Sequence, residues 1–278
     1  ISACLVGSEM CIRDRNNVLL GFMKDAEAVG YFTAATKILV ITMSLSSSLG
    51  AVIMPRTSNL IAENKMDEFK VLIQKSYDFI LALAMPLTVG LIFTSPSVIL
   101  LLSGESFAPA ILTSQIVALN ILMVGISGVM GLQVLYPMGR INIVILCTFI
   151  GAVVNVVLNV LLIPVYGHNG TAVAYMLAEV AVTVSMFIIG RRYIPIQFFK
   201  KEHLHYVLGS VVMGGCLYIL SQFYLGSMKT LVVMIIAGCL VYTLILLVLK
   251  NSISALFFEM IKRSFIKREV FKKKMGCR

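Results

Sequence analysis

The stretch IVILCTFIGAVVNVVLNVLLIPVYGHNGTAVAYMLA, residues 143–178, contains no Asp, Glu, Lys or Arg. In water such a segment would leave large apolar surfaces exposed, whereas the interior of a bilayer accepts them. The whole chain of 278 residues shares this character, because 59% of its residues are hydrophobic and only 13% are charged. Soluble domains contain roughly 45–50% apolar residues. The sequence therefore predicts an all-α polytopic membrane protein.

Apolar windows long enough to cross a bilayer recur along the chain. A hydrocarbon core of about 30 Å requires roughly 20 helical residues. Seven windows are complete, and a partial helix from Val18 to Met23 precedes them. The complete windows are residues 29–54, 77–101, 110–136, 141–163, 170–190, 205–224 and 230–249.

Two local features qualify this pattern of windows. Residues 67–75, DEFKVLIQK, predict a short amphipathic helix at the membrane surface between the first two windows. Pro86 predicts a kink in the second window, because proline removes one backbone hydrogen bond. Such a break can lie near a substrate path or be inert.

Basic residues between the windows alternate from one side of the membrane to the other. Cytoplasmic loops of membrane proteins accumulate Lys and Arg. The predicted inner loops and the C-terminal tail hold 18 basic residues, and the predicted outer loops hold 2. This pattern predicts a multi-pass membrane protein with a cytoplasmic C-terminus.

The sequence divides into three segments. Residues 1–15, ISACLVGSEMCIRDR, are too short for a span and lack the layout of a signal peptide, so we interpret them as a non-native scar. Residues 16–250 are the predicted transmembrane bundle. Residues 251–278 are a predicted basic cytoplasmic tail.

Several classes of site are not supported by the composition. The net charge of +10 comes from loops and tail rather than from a basic face with stacking residues, so we expect no nucleic-acid partner. The six cysteines have no metal or redox spacing, and the three histidines fall in predicted loops. We therefore expect no metal site, no cofactor and no catalytic residues.

The first candidate site is a polar stripe around Lys37. A charge inside the bilayer costs at least about 2.5–3.5 kcal/mol on insertion scales, so it requires a partner or a hydrated cavity. Thr33, Ser44 and Ser48 lie on the same predicted helix face as Lys37. A cation on a polar wall suits an anionic head group such as a diphosphate, which makes these four residues substrate-binding candidates. Alternatively, Lys37 extends to the outer interface and only anchors the helix.

The second candidate site groups polar residues of two neighbouring windows. Glu179 lies near the middle of its window, with Tyr175 one turn away. Asn155 and Asn159, spaced by four residues, give the preceding window a polar face. These four residues are candidates for reversible binding of a proton or sodium ion. The alternative is that they form structural hydrogen bonds between helices.

The run NNVLLGFMKDAEAVGYFTAATKI, residues 16–38, resembles the pattern of bacterial Wzx-type oligosaccharide flippases, the O-antigen translocases. In this pattern Leu20-Gly21 ends one helix and Val29-Gly30-Tyr31 opens the next. The stretch IPVYGHNGTAVAY, residues 163–175, matches the family too, and the resemblance covers about residues 16–250. One departure is Asn16-Asn17, where the family often has Asp-Arg.

The resemblance implies a fold, a substrate and a mechanism. These flippases belong to the multidrug/oligosaccharidyl-lipid/polysaccharide exporter superfamily, so the chain would be the second lobe of a MATE-like two-lobed transporter. A cationic cleft between the lobes would bind undecaprenyl-diphosphate-linked oligosaccharide, which alternating access would flip for cell-surface polysaccharide biosynthesis. The resemblance also implies a place in the bacterial inner membrane. Coupling to a proton or sodium gradient is expected, and membrane lipids are the other partners.

Three alternatives remain open. One is a purely structural membrane subunit, against which gradient-driven export by the intact protein would discriminate. A cation-coupled multidrug exporter of the same superfamily would favour acidic cavity residues, whereas the first intramembrane charge here is Lys37. A membrane-embedded glycan-processing enzyme would usually carry a sizeable external loop with catalytic polar groups. The predicted external loops are only about five to seven residues long, which is an ordinary connector length.

Overall fold

The computed structural model describes residues 14–198, 200–223 and 228–249, apart from the side chains of residues 45–49, 51 and 223. Helices and short turns account for nearly all of this part, and it contains no strand. The helices are α1 (residues 14–23), α2 (Ala26–Ala62), α3 (Met66–Ser103), α4 (Ala110–Ala118), α5 (Asn120–Gly128), α6 (Ile141–Gly190), α7 (Lys201–Phe223) and α8 (Met228–Val248). A π-helical segment, Val129–Leu135, continues α5.

The chain reverses direction within α6. Gly167 has non-helical backbone angles, φ 55° and ψ −131°, which divide α6 into two legs. A Cβ atom on Gly170 would lie 2.5 Å from the carbonyl oxygen of Leu162, although eight residues of straight helix span about 12 Å. A Cβ atom on Gly151 would likewise overlap the side chain of Val182. The two legs therefore form an antiparallel hairpin.

The hairpin explains why six membrane-length helices in the described ranges correspond to seven predicted windows. Six helices in the described residues are long and apolar enough to cross a membrane. One of them is α6, whose 50 residues would extend about 75 Å if they were straight. Its two legs correspond to the predicted windows 141–163 and 170–190. The all-α membrane fold predicted from the sequence is confirmed.

Several helices begin earlier than their predicted windows. Residues 67–75 do not form a separate surface helix, since α3 runs without interruption from Met66 to Ser103. The reason is packing: Phe69 and Ile73, expected on a membrane surface, are buried in the core. Asp14 and Arg15 are helical and begin α1, four residues before the predicted partial helix at Val18. Residues 1–13 and the predicted tail, 251–278, lie outside the described residues.

Basic residues collect at one end of the bundle. A single cavity is lined by Met66, Met138 and Arg192, so the connections before α3, before α6 and after α6 share this end. At the opposite end the ring of Tyr31 lies 5.5 Å from that of Phe107 and 5.1 Å from that of His168. We call the end with the cavity the basic end, because its described segments carry Lys65, Lys70, Lys75, Arg140, Arg191, Arg192, Lys200 and Lys201.

Helix α3 is central to the packing of the bundle. It packs against α2, α4 and α5 on one side and against the α7–α8 hairpin on the other. Two apolar clusters follow from this arrangement. One, including Phe32, Ile99 and Ile163, joins α2 and α3 to α6 near the end opposite the basic one. The other, including Phe69 and Tyr206, lies nearer the basic end and extends to α7 and α8.

Both prolines of α3 leave a carbonyl group that a neighbouring helix satisfies. A proline has no N–H, so the carbonyl four residues before it loses its helical donor. Pro86 removes the donor for Ala82, whose oxygen instead accepts from the Tyr242 hydroxyl of α8 at 2.7 Å. Pro96 does the same for Ile92, whose oxygen accepts from Gln115 of α4 at 3.2 Å. The predicted break at Pro86 is thus an attachment point for α8.

Replacing Tyr242 with Phe should destabilise the protein by about 1–2 kcal/mol, because the Ala82 carbonyl would be buried without a donor. In a Pro86→Ala background residue 86 can supply the helical N–H, so the same replacement should cost much less. Thermal unfolding of the four variants in detergent measures this coupling. Tyr218→Phe is the control, since Tyr218 is exposed. Equal costs of Tyr242→Phe in both backgrounds would refute the assignment.

Candidate functional site

Lys37 lies on an exposed face of α2. Val40, Ile41 and Ser44 are exposed on the same face, whereas Leu39 is buried. Lys37 forms no ion pair with any residue in the described part of the chain. The face therefore places a cation beside apolar side chains and is not the purely polar stripe predicted from the sequence.

The other predicted members of the Lys37 site are distributed differently. Thr33 is half-buried and donates to the side-chain oxygen of Asn17 on α1 at 3.5 Å. Ser44 is exposed and donates to the carbonyl of Ile41 at 2.7 Å. The side chain of Ser48 lies outside the described residues. The structure thus places Lys37 and Ser44 on one exposed face and turns Thr33 toward α1.

Asparagines of two distant segments meet in the core of the bundle. Asn159 on α6 donates to the side-chain oxygen of Asn16 on α1 at 2.9 Å, and to the backbone carbonyl of Asn155 at 2.8 Å. All three side chains are fully buried. Burying amides among apolar side chains is costly unless they are hydrogen-bonded, so this arrangement fixes α1 against the first leg of α6.

Two further hydrogen bonds show at what depth in the bundle other polar residues lie relative to these asparagines. Thr113 on α4 donates to Asn169 at 2.8 Å, and Thr183 donates to the carbonyl of Met123 on α5 at 3.2 Å. Helices α4 and α5 therefore run parallel to the second leg of α6. Asn120, three residues before Met123, consequently lies at the level of Glu179, four residues before Thr183.

The antiparallel leg brings Asn155 to a similar depth. Gly151 lies against Ala178 and Val182, so Asn155, one turn further, lies near the level of Tyr175 and Glu179. Tyr175 and Glu179 are both at most 3% exposed. We call Asn16, Asn120, Asn155, Asn159 and Glu179 the buried polar layer.

The buried polar layer has the chemistry of a site for a small hard cation. Side-chain amides of Asn120 and Asn155 make no hydrogen bond to any residue that the structure describes. Buried polar groups of this kind require an explanation, because nearly all others in proteins are hydrogen-bonded. Amide and carboxylate oxygens are ligands that hard cations prefer. In the described ranges no three or more His, Cys, Asp or Glu side chains are grouped so that they could hold a metal ion.

A second polar network joins α3 to the start of α7. Asp78 contacts Nε2 of His203 at 3.0 Å and Nζ of Lys200 at 3.2 Å. Gln74 donates to Asp78 at 2.8 Å and accepts from the backbone N–H of Gln197, also at 2.8 Å. Since the histidine is buried, the network anchors α7 at the basic end.

Sequence reasoning missed three of these buried residues. Asn120 interrupts a long apolar window, and this signal was visible in the sequence. Asn16 stands out in the sequence only as part of a departure from the family pattern, which does not predict its burial. His203 was predicted in a loop, but it lies in the first turn of α7 with its ring 5.6 Å from that of Tyr77. Two of its partners, Asp78 and Tyr77, lie on α3, far away in the sequence, so the sequence gives little signal for its burial.

Comparison with known proteins supplies a family. A family model described as lipid II flippase MurJ matches residues 28–238, which is most of the chain. No curated protein matches the chain.

Solved transporters share the fold. A structure of the lipid II flippase MurJ in an inward closed conformation has a TM-score of 0.73 and 17% identity, and the match covers 91% of this chain and 52% of that one. An outward-facing MATE family multidrug resistance transporter of the MOP superfamily has a TM-score of 0.61 at 17% identity, with 78% and 51% covered. A MOP superfamily transporter from Pyrococcus furiosus has a TM-score of 0.59 at 18% identity, with 78% and 50% covered. The chain thus spans about half the length of each.

Proposed function

Because the chain belongs to the family of the lipid II flippase MurJ, we propose that the complete protein flips an undecaprenyl-diphosphate-linked glycan across the bacterial inner membrane. This chain would supply the second of two lobes, and alternating access would expose the substrate to each side in turn. The reaction makes and breaks no covalent bond. The membrane fold and the family support transport rather than catalysis.

The observation that carries the proposal is the position of Lys37. Its ammonium group lies on an exposed helix face with Val40 and Ile41, and no described residue neutralises it. A lipid-linked diphosphate presents the complementary combination, an anionic group joined to an apolar chain. The same cation disfavours the multidrug alternative, because cationic drugs call for acidic cavity residues.

Two glycans are candidates for the transported head group. The resemblance of residues 16–38 and 163–175 to Wzx-type flippases favours an oligosaccharide for cell-surface polysaccharide. The matching family model favours the peptidoglycan precursor lipid II. Complementation tests distinguish the two. If lipid II is the substrate, the protein should restore peptidoglycan in cells depleted of the lipid II flippase. If an oligosaccharide is the substrate, it should restore surface polysaccharide in cells depleted of a Wzx-type flippase.

The buried polar layer is the proposed site of ion coupling. Glu179 and Asn155 lie at a similar depth on the two legs of α6, and Asn159 bonds directly to Asn16 on α1. A proton or sodium ion bound there would alter the packing of α1 against α6. Because α1 precedes α2 directly, the change would reach the helix that carries Lys37.

Replacing Lys37 with Ala in the complete protein should lower the flipping rate about tenfold or more. The reason is that a charge-assisted contact to a diphosphate contributes roughly 1.5–3 kcal/mol. Export of the glycan to the cell surface measures the effect. Lys37→Arg should retain most activity, and Lys24→Ala, which removes an exposed lysine between α1 and α2, is the matched control. Undiminished export by the Lys37→Ala variant would reject this role.

A further inference from the structure

A cavity of about 270 Å³ opens at the basic end of the bundle, away from both candidate transport sites. The first turns of α3, the connection before α6 and the segment after α6 form its wall. Lys70, Arg192 and Tyr193 supply its polar lining, and Met66, Phe69 and Met138 belong to its apolar lining.

Positive charge dominates this cavity. Arg192 is exposed and has no ion pair with any residue in the described ranges. Lys70 contacts Asp67 at 3.1 Å, but both side chains are largely exposed, so this pair is weak and exchangeable. The guanidinium group of Arg140 stacks over the ring of Tyr193, 4.7 Å from its centroid. An anion in the cavity would therefore meet cations on two walls and a third beside them.

The size and surroundings of the cavity select the kind of anion. Its volume lies below the roughly 300–1,000 Å³ of sites for drug-sized ligands, so it admits a head group but not a whole lipid. Phe187 and Ile188, in the last turn of α6 just before Arg192, are exposed apolar side chains. Acyl chains can lie along them while the head group occupies the cavity. A soluble anion would make no use of this apolar strip.

We infer that the cavity binds the phosphate head group of an anionic phospholipid from the cytoplasmic leaflet. Basic pockets between membrane helices on the cytoplasmic side are suited to such head groups. The bound phosphate bridges Lys70 of α3 and Arg192 after α6. The segment between α6 and α7 is already fastened to α3 by the bond between Gln197 and Gln74, so the lipid reinforces the same connection.

Titration of the purified complete protein with phosphatidylglycerol tests the inference through the thermal unfolding midpoint. Phosphatidylglycerol should raise the midpoint and saturate, whereas phosphatidylcholine and inorganic phosphate should not. The double variant Lys70→Gln with Arg192→Gln should require about tenfold more phosphatidylglycerol for half of the effect. If this double variant does not fold, Arg192→Gln alone serves, because its exposed side chain has no ion pair with a described residue.

A matched control distinguishes binding in this cavity from general electrostatic attraction between anionic lipid and protein. Lys24→Gln with Lys229→Gln removes the same charge from exposed positions at the opposite end. In the control, half of the stabilising effect should require the same concentration of phosphatidylglycerol as in the wild type. An equal loss in the control, an unchanged titration in the cavity variant, or equal stabilisation by inorganic phosphate would each overturn the assignment.

Discussion

Replacing Gly170 with Ala should destabilise the protein by roughly 2–4 kcal/mol, a large effect for the addition of one methyl group. The added Cβ atom would lie 2.5 Å from the carbonyl oxygen and 2.7 Å from the carbonyl carbon of Leu162. These are backbone atoms, so no side-chain rotation relieves the overlap. The two legs of α6 would have to separate, which would disturb the contacts of Asn155 and Asn159. Thermal unfolding and the yield of monodisperse protein in detergent measure the result.

Gly128→Ala is the matched control for Gly170→Ala. Gly128 is also helical, and a Cβ atom there would meet nothing within 4 Å. Alanine has the higher helix propensity, so this variant should be as stable as the wild type or slightly more stable. An unfolding temperature for Gly170→Ala equal to that of the control would contradict the close packing of the two legs.

Replacing Glu179 with Gln should abolish the dependence of transport on an ion gradient. The amide keeps the size and hydrogen-bonding capacity of the carboxyl group but cannot take up and release a proton, and it binds a cation more weakly. With a proton or sodium gradient imposed, flipping by this variant should fall to about the rate that the wild type shows without one. Initial rates measured with each gradient in turn also identify the coupling ion.

A purely structural role for Glu179 predicts a different result. If its carboxyl group only bridges helices, Glu179→Gln should lower the unfolding temperature and leave the gradient response of the folded fraction intact. Glu105→Gln, at an exposed acidic residue between α3 and α4, is the control for the loss of one negative charge. An unchanged gradient dependence in a folded Glu179→Gln protein would remove the buried polar layer from the mechanism.

The membrane fold was predictable because it follows from composition and segment length alone. The hairpin of α6 was visible as two apolar windows separated by PVYGHN, residues 164–169, in which Gly167 supplies the positive φ. The surface helix at residues 67–75 was predicted wrongly, since its charged start matched an amphipathic pattern. Its apolar residues are covered by helices distant in sequence, and no local pattern reveals that.

The candidate sites were predictable only in part. Asn155, Asn159 and Glu179 were recognisable as polar residues within apolar windows, and the structure buries all three. Their association with Asn16 depends on a contact across 143 residues, for which one sequence gives no signal. The exposure of Lys37 likewise depends on which faces of α2 the other helices cover. The roles of these residues in transport stay predictions.

The most direct test of the account is a flipping assay with the complete protein in proteoliposomes. A labelled undecaprenyl-diphosphate-linked glycan is placed in both leaflets, and an added glycan-modifying enzyme reports how much becomes accessible from outside. The account predicts that accessibility rises from about half of the glycan to nearly all of it, and that Lys37→Ala slows this rise. Accessibility that stays at the level of protein-free liposomes, under every gradient imposed, would contradict it.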